Sequence, residues 1–267
     1  MYTKADLFAN LAAMGAPRDR VVLMHSSLRL IGETEGGAGG LLDALIEYFT
    51  AEGGLFCVPT HTWNRLGTDK ITLDLTENES NLGAFAKVAM EDGRGIRSEN
   101  PTHSVVVFGD RAKAEAMIAN EAYLDTPTAK ESFYGRLYDA DGYILLAGVG
   151  QNKNTYLHAV DEILNIPNRM GGKPYTVSVK RPSGEVIAHP MTLYHADFTP
   201  DISQRFLKLE LPFRYHGVLT DGKLGDAPAQ LCSARGMFDV MKLIYERSGG
   251  CDPMATEVAI DPKSYAR

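Results

Sequence analysis

The stretch YILLAGVGQNKNTYLHAVDEILN, residues 143–165, decides how the chain is read. Its first part is an apolar run closed by glycines, the pattern of a buried strand ending in a tight loop. Its second part puts Leu157, Ala159 or Val160, Ile163 and Leu164 on one side of a helix that Asn154 or Thr155 can cap. Strand, short loop and helix form the repeating unit of an α/β sheet. His158 then falls in the first helical turn, with Asp161 at i+3 and Glu162 at i+4 near its own face. The helix dipole disfavours protonation of an imidazole there, while an adjacent carboxylate favours it. Together they can leave a histidine that is neutral at about pH 7, oriented and able to take a proton. A surface histidine beside two solvated acids satisfies the same spacing.

Working outward, the upstream chain repeats the unit. VVLMHSS (residues 21–27) reads as a strand, followed by a Gly-rich loop and the helical spacing of LLDALIEYF (residues 41–49). GGLFCVPTHTW (residues 53–63) is a second strand ending in polar and aromatic residues, and a helix is expected at about residues 82–91. A basic pair, Arg94 and Arg97, precedes PTHS and the strand VVVFG. Ligands of open α/β sheets gather at strand ends, where this chain carries His, Ser and Thr. Downstream, the alternation in residues 175–197 around Arg181-Pro182-Ser183-Gly184 predicts a hairpin. FRYHGVLTDGKLGDA (residues 213–227) predicts a second one turning at Asp221-Gly222, and MFDVMKLIYERSGG a closing amphipathic helix. The expectation is an α/β fold: a mixed central sheet with helices on both sides and antiparallel hairpins in the C-terminal part. It is taken as one domain over residues 1–267, with a possible subdomain change near residues 165–175.

Composition narrows the function classes. With 44% hydrophobic and 23% charged residues, the 267-residue chain has the make-up of a soluble globular protein. Nothing approaches the run of about 20 apolar residues that crosses a bilayer. The start, MYTKADLFANLAAMG, reads as an amphipathic helix rather than a secretory signal. Cys57, Cys232 and Cys251 are far apart and lack CxxC spacing, which argues for a reducing cytoplasm and against a disulfide framework or zinc site. The seven histidines form no HExxH, so no metal is expected. Ser26, Ser27 and Ser104 sit in no GxSxG, against a serine hydrolase. A net charge of -7 opposes nonspecific nucleic-acid binding and suits a cationic small molecule.

The ordered set VVLMHSSL, IGETEGG, LLDAL, GGLFCVPTHT, RSENPTHSVVVFG, YILLAGVG and NTYLHAVDE resembles the aminoglycoside 3-N-acetyltransferase family, also called the antibiotic N-acetyltransferases. The resemblance covers about residues 21–164 and continues weakly through TLYHAD and GKLGDA. It implies the family's own fold, acetyl-CoA as donor and an amine of a cationic aminoglycoside as acceptor, hence antibiotic resistance. It also implies His158 as base in an NTxxHxxE-like segment, with Asp161 in place of the usual glutamate and Glu162 beside it. His25, Ser26, Ser27 and Leu28 look like part of the coenzyme site. So do Gly36 and Gly37, Thr60, Arg97, Ser98, Thr102, His103 and Ser104. The segment after PTHT is compact compared with the long Trp- and Pro-rich insertion of aminoglycoside-modifying members, which favours "N-acetyltransferase" over "aminoglycoside". Acceptor-side candidates are Trp63, Asp74, Glu77, His195 and Asp197.

The resulting expectation is direct acetyl transfer to an amine, most simply the 3-amino group of a 2-deoxystreptamine ring. The alternatives are another amine as acceptor, a CoA- or aminosugar-binding protein without chemistry, or a thioesterase. The oligomeric state is left open.

Overall fold

The computed structural model describes residues 1–195 and 201–265. Its strands are β1 (Val21–Ser26), β2 (Leu55–Pro59), β3 (Leu73–Asp74), β4 (Ile96–Arg97), β5 (Val105–Gly109), β6 (Tyr143–Ala147), β7 (Tyr175–Lys180), β8 (Val186–Met191), β9 (Leu219–Leu224) and β10 (Ala227–Ser233). Its helices are α1 (Lys4–Ala13), α2 (Leu28–Ile31), α3 (Gly37–Thr50), α4 (Ala84–Glu91), α5 (Arg111–Met117), α6 (Phe133–Asp139), α7 (Tyr156–Ile163), α8 (Glu210–Tyr215) and α9 (Ala234–Arg247).

The period-two alternation of β1 explains the layering. Val21 and Leu23 face one core with Leu146, Tyr156, Leu157 and the apolar side of α9. Val22 and Met24 face the other, with Leu7 and Leu11 of α1, the apolar side of α3, and Phe85 of α4. Because both faces of β1 are buried, its sequence is continuously apolar until His25.

Among the described residues β1 lies in a seven-stranded sheet of order β4-β5-β2-β1-β6-β10-β9. It runs parallel to β2 and β6, while β5 and β10 join from either side antiparallel. The expected mixed sheet with helices on both faces is therefore observed. A separate three-stranded sheet, β3-β7-β8, carries the hairpin predicted around Arg181–Gly184. No helix among the described residues is long and apolar enough to cross a membrane.

The second hairpin needs correction. Residues 213–215 belong to α8, and Asp221 and Gly222 pair within β9; the turn lies at Gly225-Asp226. Gly225 has φ +61°, and a Cβ there would stand 2.3 Å from the Ile31 carbonyl oxygen. Gly222 is used differently: a Cβ would stand 2.2 Å from the Met14 side chain, so glycine admits the C-terminal end of α1 against β9. Two Gly-Asp pairs of opposite order occupy one stretch, and packing rather than turn propensity chooses between them.

Candidate active site

Parallel strands β2, β1 and β6 end on the same side, and a cleft of about 570 Å³ opens there. Met24, His25 and Ser26 enter it from β1, Val58 and Pro59 from β2, and Val149 and residues 152–155 from the loop leaving β6. Phe85, Leu82 and Leu66 make an apolar wall, and half-exposed Trp63 stands at the mouth. Four histidines meet here: His25, His61, His103 and His158.

His158 is carried by α7 as the sequence predicts. Thr155 is the N-cap residue, but Asn154 supplies the side-chain acceptor, its Oδ1 taking the Tyr156 amide at 3.2 Å. The His158 Nε2 lies 3.1 Å from the Ser203 hydroxyl. Its Nδ1 is buried and has no hydrogen-bond partner among the described residues. Tyr194 meets the ring edge-on at 4.1 Å and Phe206 at 5.0 Å. Burial above all, then the charges of His103 and Arg169, pushes the His158 pKa down to about 3. The imidazole is therefore neutral at physiological pH.

The carboxylates expected to orient His158 bond elsewhere. Asp161, fully buried, accepts from Arg169 Nε at 2.6 Å and from the Tyr194 hydroxyl. Arg169, also buried, forks onto Asp252 with its two terminal nitrogens. Burial pushes the Asp161 carboxyl up, and Arg169 pulls against it. Glu162 accepts from the hydroxyls of Thr126 and Thr128. Spacing of i+3 and i+4 brought both acids near His158 along the helix, but a buried arginine 8 residues on outcompetes the neutral imidazole for Asp161.

The expected coenzyme-side residues divide into two groups. His25, Ser26 and His103 line the cleft. Burial lowers the His25 pKa to about 3 and that of His103 to about 4. The His103 Nδ1 lies 2.8 Å from the Thr102 hydroxyl, which places Thr102 directly behind it. Ser27 and Leu28 lie just past the strand end, Ser27 as the N-cap residue of α2.

Thr60, Ser104 and Arg97 instead form a network beneath the cleft floor. Thr60 and Ser104 hydroxyls are 2.9 Å apart, and Arg97 donates to the carbonyls of Thr60, Glu77 and Glu79. Ser98, buried, accepts the Val105 amide. Gly36 and Gly37 have φ of +74° and +63° and open α3 beside a separate shallow depression, where Gly37 joins Leu28 and Thr34. They do not line the His158 cleft.

Of the acceptor-side candidates among the described residues, only Trp63 lines the cleft. Asp74 is buried and bonded to Lys180 at 2.7 Å and to Thr76, with its pKa lowered to about 2. Glu77 shares the Arg65 guanidinium with Glu79. Both acids serve ion pairs, one joining β3 to β7 and the other closing the loop. His195 is exposed and does not line the cleft; its amide donates to the Arg169 carbonyl. Asp197 lies outside the described residues.

His61, Asn154, Ser203 and Tyr194 also line the cleft; Asn154 lies in the NTYLHAVDE segment and Tyr194 in TLYHAD. His61 sits 4.5 Å, ring to ring, from His103, and its Nε2 lies 2.8 Å from the Tyr134 hydroxyl. Its place two residues beyond β2 was the available signal. Nothing local marks Ser203, which comes from a 3-10 helix (Ile202–Leu209) 45 residues from the histidine it meets.

A histidine-lined cleft at the strand ends of a mixed α/β sheet is a site sized and lined for a small molecule. A family model described as aminoglycoside 3-N-acetyltransferase matches residues 23–246, and the chain belongs to that family. The SPbeta prophage-derived aminoglycoside N(3')-acetyltransferase-like protein YokD of Bacillus subtilis (strain 168) is 28% identical over 201 residues, covering 67% of this chain and 72% of that protein. A solved AAC-IIIb in binary complex with CoASH superposes with TM-score 0.78 at 20% identity, covering 94% of this chain and 98% of the other. A solved AAC-VIa bound to sisomicin gives TM-score 0.76 at 20% identity, with 92% and 98% covered. The family and the fold expected from the sequence are both found.

Proposed function

We propose that the protein transfers an acetyl group from acetyl-CoA to an amine, with His158 as general base. The 3-amino group of an aminoglycoside ring is the first acceptor to test, since the AAC-VIa neighbour binds sisomicin. The single observation that carries the reading is a neutral, buried imidazole whose Nε2 points at a hydroxyl inside an apolar-walled cleft of about 570 Å³ at the strand ends. The apolar walls suit the pantetheine arm of the coenzyme, and the reaction is placed in the cytoplasm, where acetyl-CoA is at hand.

In this reading the acceptor displaces Ser203 from Nε2. As the nitrogen attacks the thioester carbon, His158 takes its proton, and collapse of the tetrahedral adduct expels the CoA thiolate, which that proton then neutralises. No acetyl-enzyme is required. The developing oxyanion needs a donor, and the Thr155 end of the loop leaving β6, which lines the cleft, is the first place to look, since the Asn154 amides already donate to Gln151. An acceptor of lower charge is the second reading, favoured by the ion pairs that occupy Asp74 and Glu77.

The test is thiol release from acetyl-CoA with and without gentamicin-, kanamycin- and apramycin-like amines. Release that needs the amine and falls by about a hundred- to ten-thousandfold in His158→Ala is expected. Near wild-type turnover in that variant would sink the mechanism; release without amine would make the protein a thioesterase.

A further inference from the structure

The surroundings of His158 raise the question of what holds its ring. Among the described residues one side-chain hydrogen bond joins it, between Nε2 and the Ser203 hydroxyl, and Nδ1 is buried without a partner there. The ring is bounded instead by two aromatics: Tyr194 at an interplanar angle of 74° and Phe206 at 65°. Tyr194 is itself held at both ends. Its hydroxyl donates to Asp161, which Arg169 also clamps, and its backbone bridges Met170, the neighbour of Arg169 in sequence.

We infer that Tyr194 is a positioning residue: Asp161 and Arg169 fix its phenol, and the phenol with Phe206 fixes the His158 imidazole. Asp161 thus acts on the base through a ring rather than through a carboxylate–imidazole bond. The charge of Asp161 is met by Arg169, so what touches His158 is a neutral wall that constrains ring rotation without holding a proton on the imidazole. Two edge-on rings leave the imidazole one slot, and a phenol freed from Asp161 widens it.

The kinetic arm rests on His158 being the base; a spectroscopic arm does not. The protein labelled at histidine ring nitrogens is titrated by NMR as wild type, Tyr194→Phe, Asp161→Asn and the double variant, and each is assayed for acetyl transfer. Tyr194→Phe is expected to move the His158 ring resonances and to lower kcat about tenfold, leaving KM for acetyl-CoA within twofold. Adding Asp161→Asn to Tyr194→Phe is expected to lower kcat less than twofold further, because both act along one path. Multiplicative effects, or His158 resonances unmoved by Tyr194→Phe, overturn the inference. Moved resonances with kcat intact uphold the clamp and remove His158 as base. If Asp161→Asn fails to fold, Tyr194→Leu decides: it must reduce kcat below Tyr194→Phe, and equal kcat overturns the clamp.

Discussion

Replacing Arg169 by methionine tests the charge cluster behind the cleft. Arg169 is 1% exposed, Asp161 0% and the Asp252 side chain 7%, so the substitution leaves two carboxylates facing one another with little access to water. Breaking a buried ion pair from one side costs about 3–5 kcal/mol, because the surviving charge keeps its desolvation penalty. For a chain of this size, at about 2–4 °C per kcal/mol, the melting temperature falls by roughly 6–20 °C.

The pH dependence follows from the same geometry. Burial already raises the Asp161 carboxyl, and without Arg169 it rises further. A carboxyl whose folded pKa lies above its unfolded value of about 4 binds a proton in the folded state first. Its penalty is therefore full at neutral pH and shrinks as the solution is acidified toward that unfolded value. Urea unfolding followed by far-UV circular dichroism should show the wild type ahead by about 3–5 kcal/mol at about pH 7 and by clearly less at about pH 5. His25 and His103, shifted by burial alone, are common to both proteins and cancel in the difference; His158 loses the Arg169 charge that helps keep it neutral, which also shrinks the deficit on acidification. Arg169→Lys, which keeps the charge but loses the fork onto Asp252, should fall between the two. A deficit under about 1 kcal/mol at about pH 7, or one that grows on acidification, would refute the assignment.

Three further outcomes are expected. His25, His103 and His158 are held neutral with pKa values of about 3, 4 and 3, so the unfolded chain gains their protons first. Their contribution is full above about pH 6.5 and is lost below it by up to about 1.4 kcal/mol per pH unit for each, partly offset by Glu121, which burial raises to about 7, and by Asp161 and Glu162, which burial also raises; a urea midpoint that rises from about pH 7 to 5 contradicts this. Asp74→Asn should lower the melting temperature while leaving acceptor KM unchanged, as should Glu77→Gln, because both acids pair with cations outside the cleft; a raised acceptor KM returns them to the binding site. Gly225→Ala, with its φ of +61° and its closeness to the Ile31 carbonyl, should destabilise by about 2 kcal/mol or more in denaturant titration, and a neutral substitution would undo the corrected turn.

Local pattern was enough for the α/β half because β1, β2 and β6 are buried on both faces and α3 and α7 each show one apolar side. The parallel triplet β2-β1-β6 and the strand-end histidines follow from that layout. What failed depended on side chains distant in sequence. Asp161 reads as a partner of His158 until Arg169 and Tyr194 arrive from beyond the helix. Asp74 reads as a free acid until Lys180, 106 residues away, is laid beside it by the β3–β7 pairing. Thr60 and Ser104, at strand ends beside cleft residues, turn toward each other and Arg97 rather than outward. Strand ends locate a site, but which polar groups remain available there is settled by long-range pairing.

A base with a pKa of about 3 looks too weak to deprotonate an amine, yet on the proposed reaction its neutrality is an advantage. Turnover must begin with an unprotonated imidazole, and burial guarantees that form at any physiological pH. The acceptor feels the same environment: an ammonium carried from water into apolar surroundings loses hydration, and its pKa falls with that of the imidazole. The proton then moves between two groups weakened alike, so the difference between them is smaller than their values in water imply. As the nitrogen attacks, negative charge grows on the thioester oxygen in a medium of low dielectric, and that charge stabilises the imidazolium forming beside it. A carboxylate on Nδ1 would also stabilise the imidazolium, but it would do so before the reaction starts as well, raising the share of His158 that is already protonated. If His158 is the base proposed above, pairing Asp161 with Arg169 and placing neutral rings against His158 would defer imidazolium stabilisation to the transition state, where it would lower the barrier.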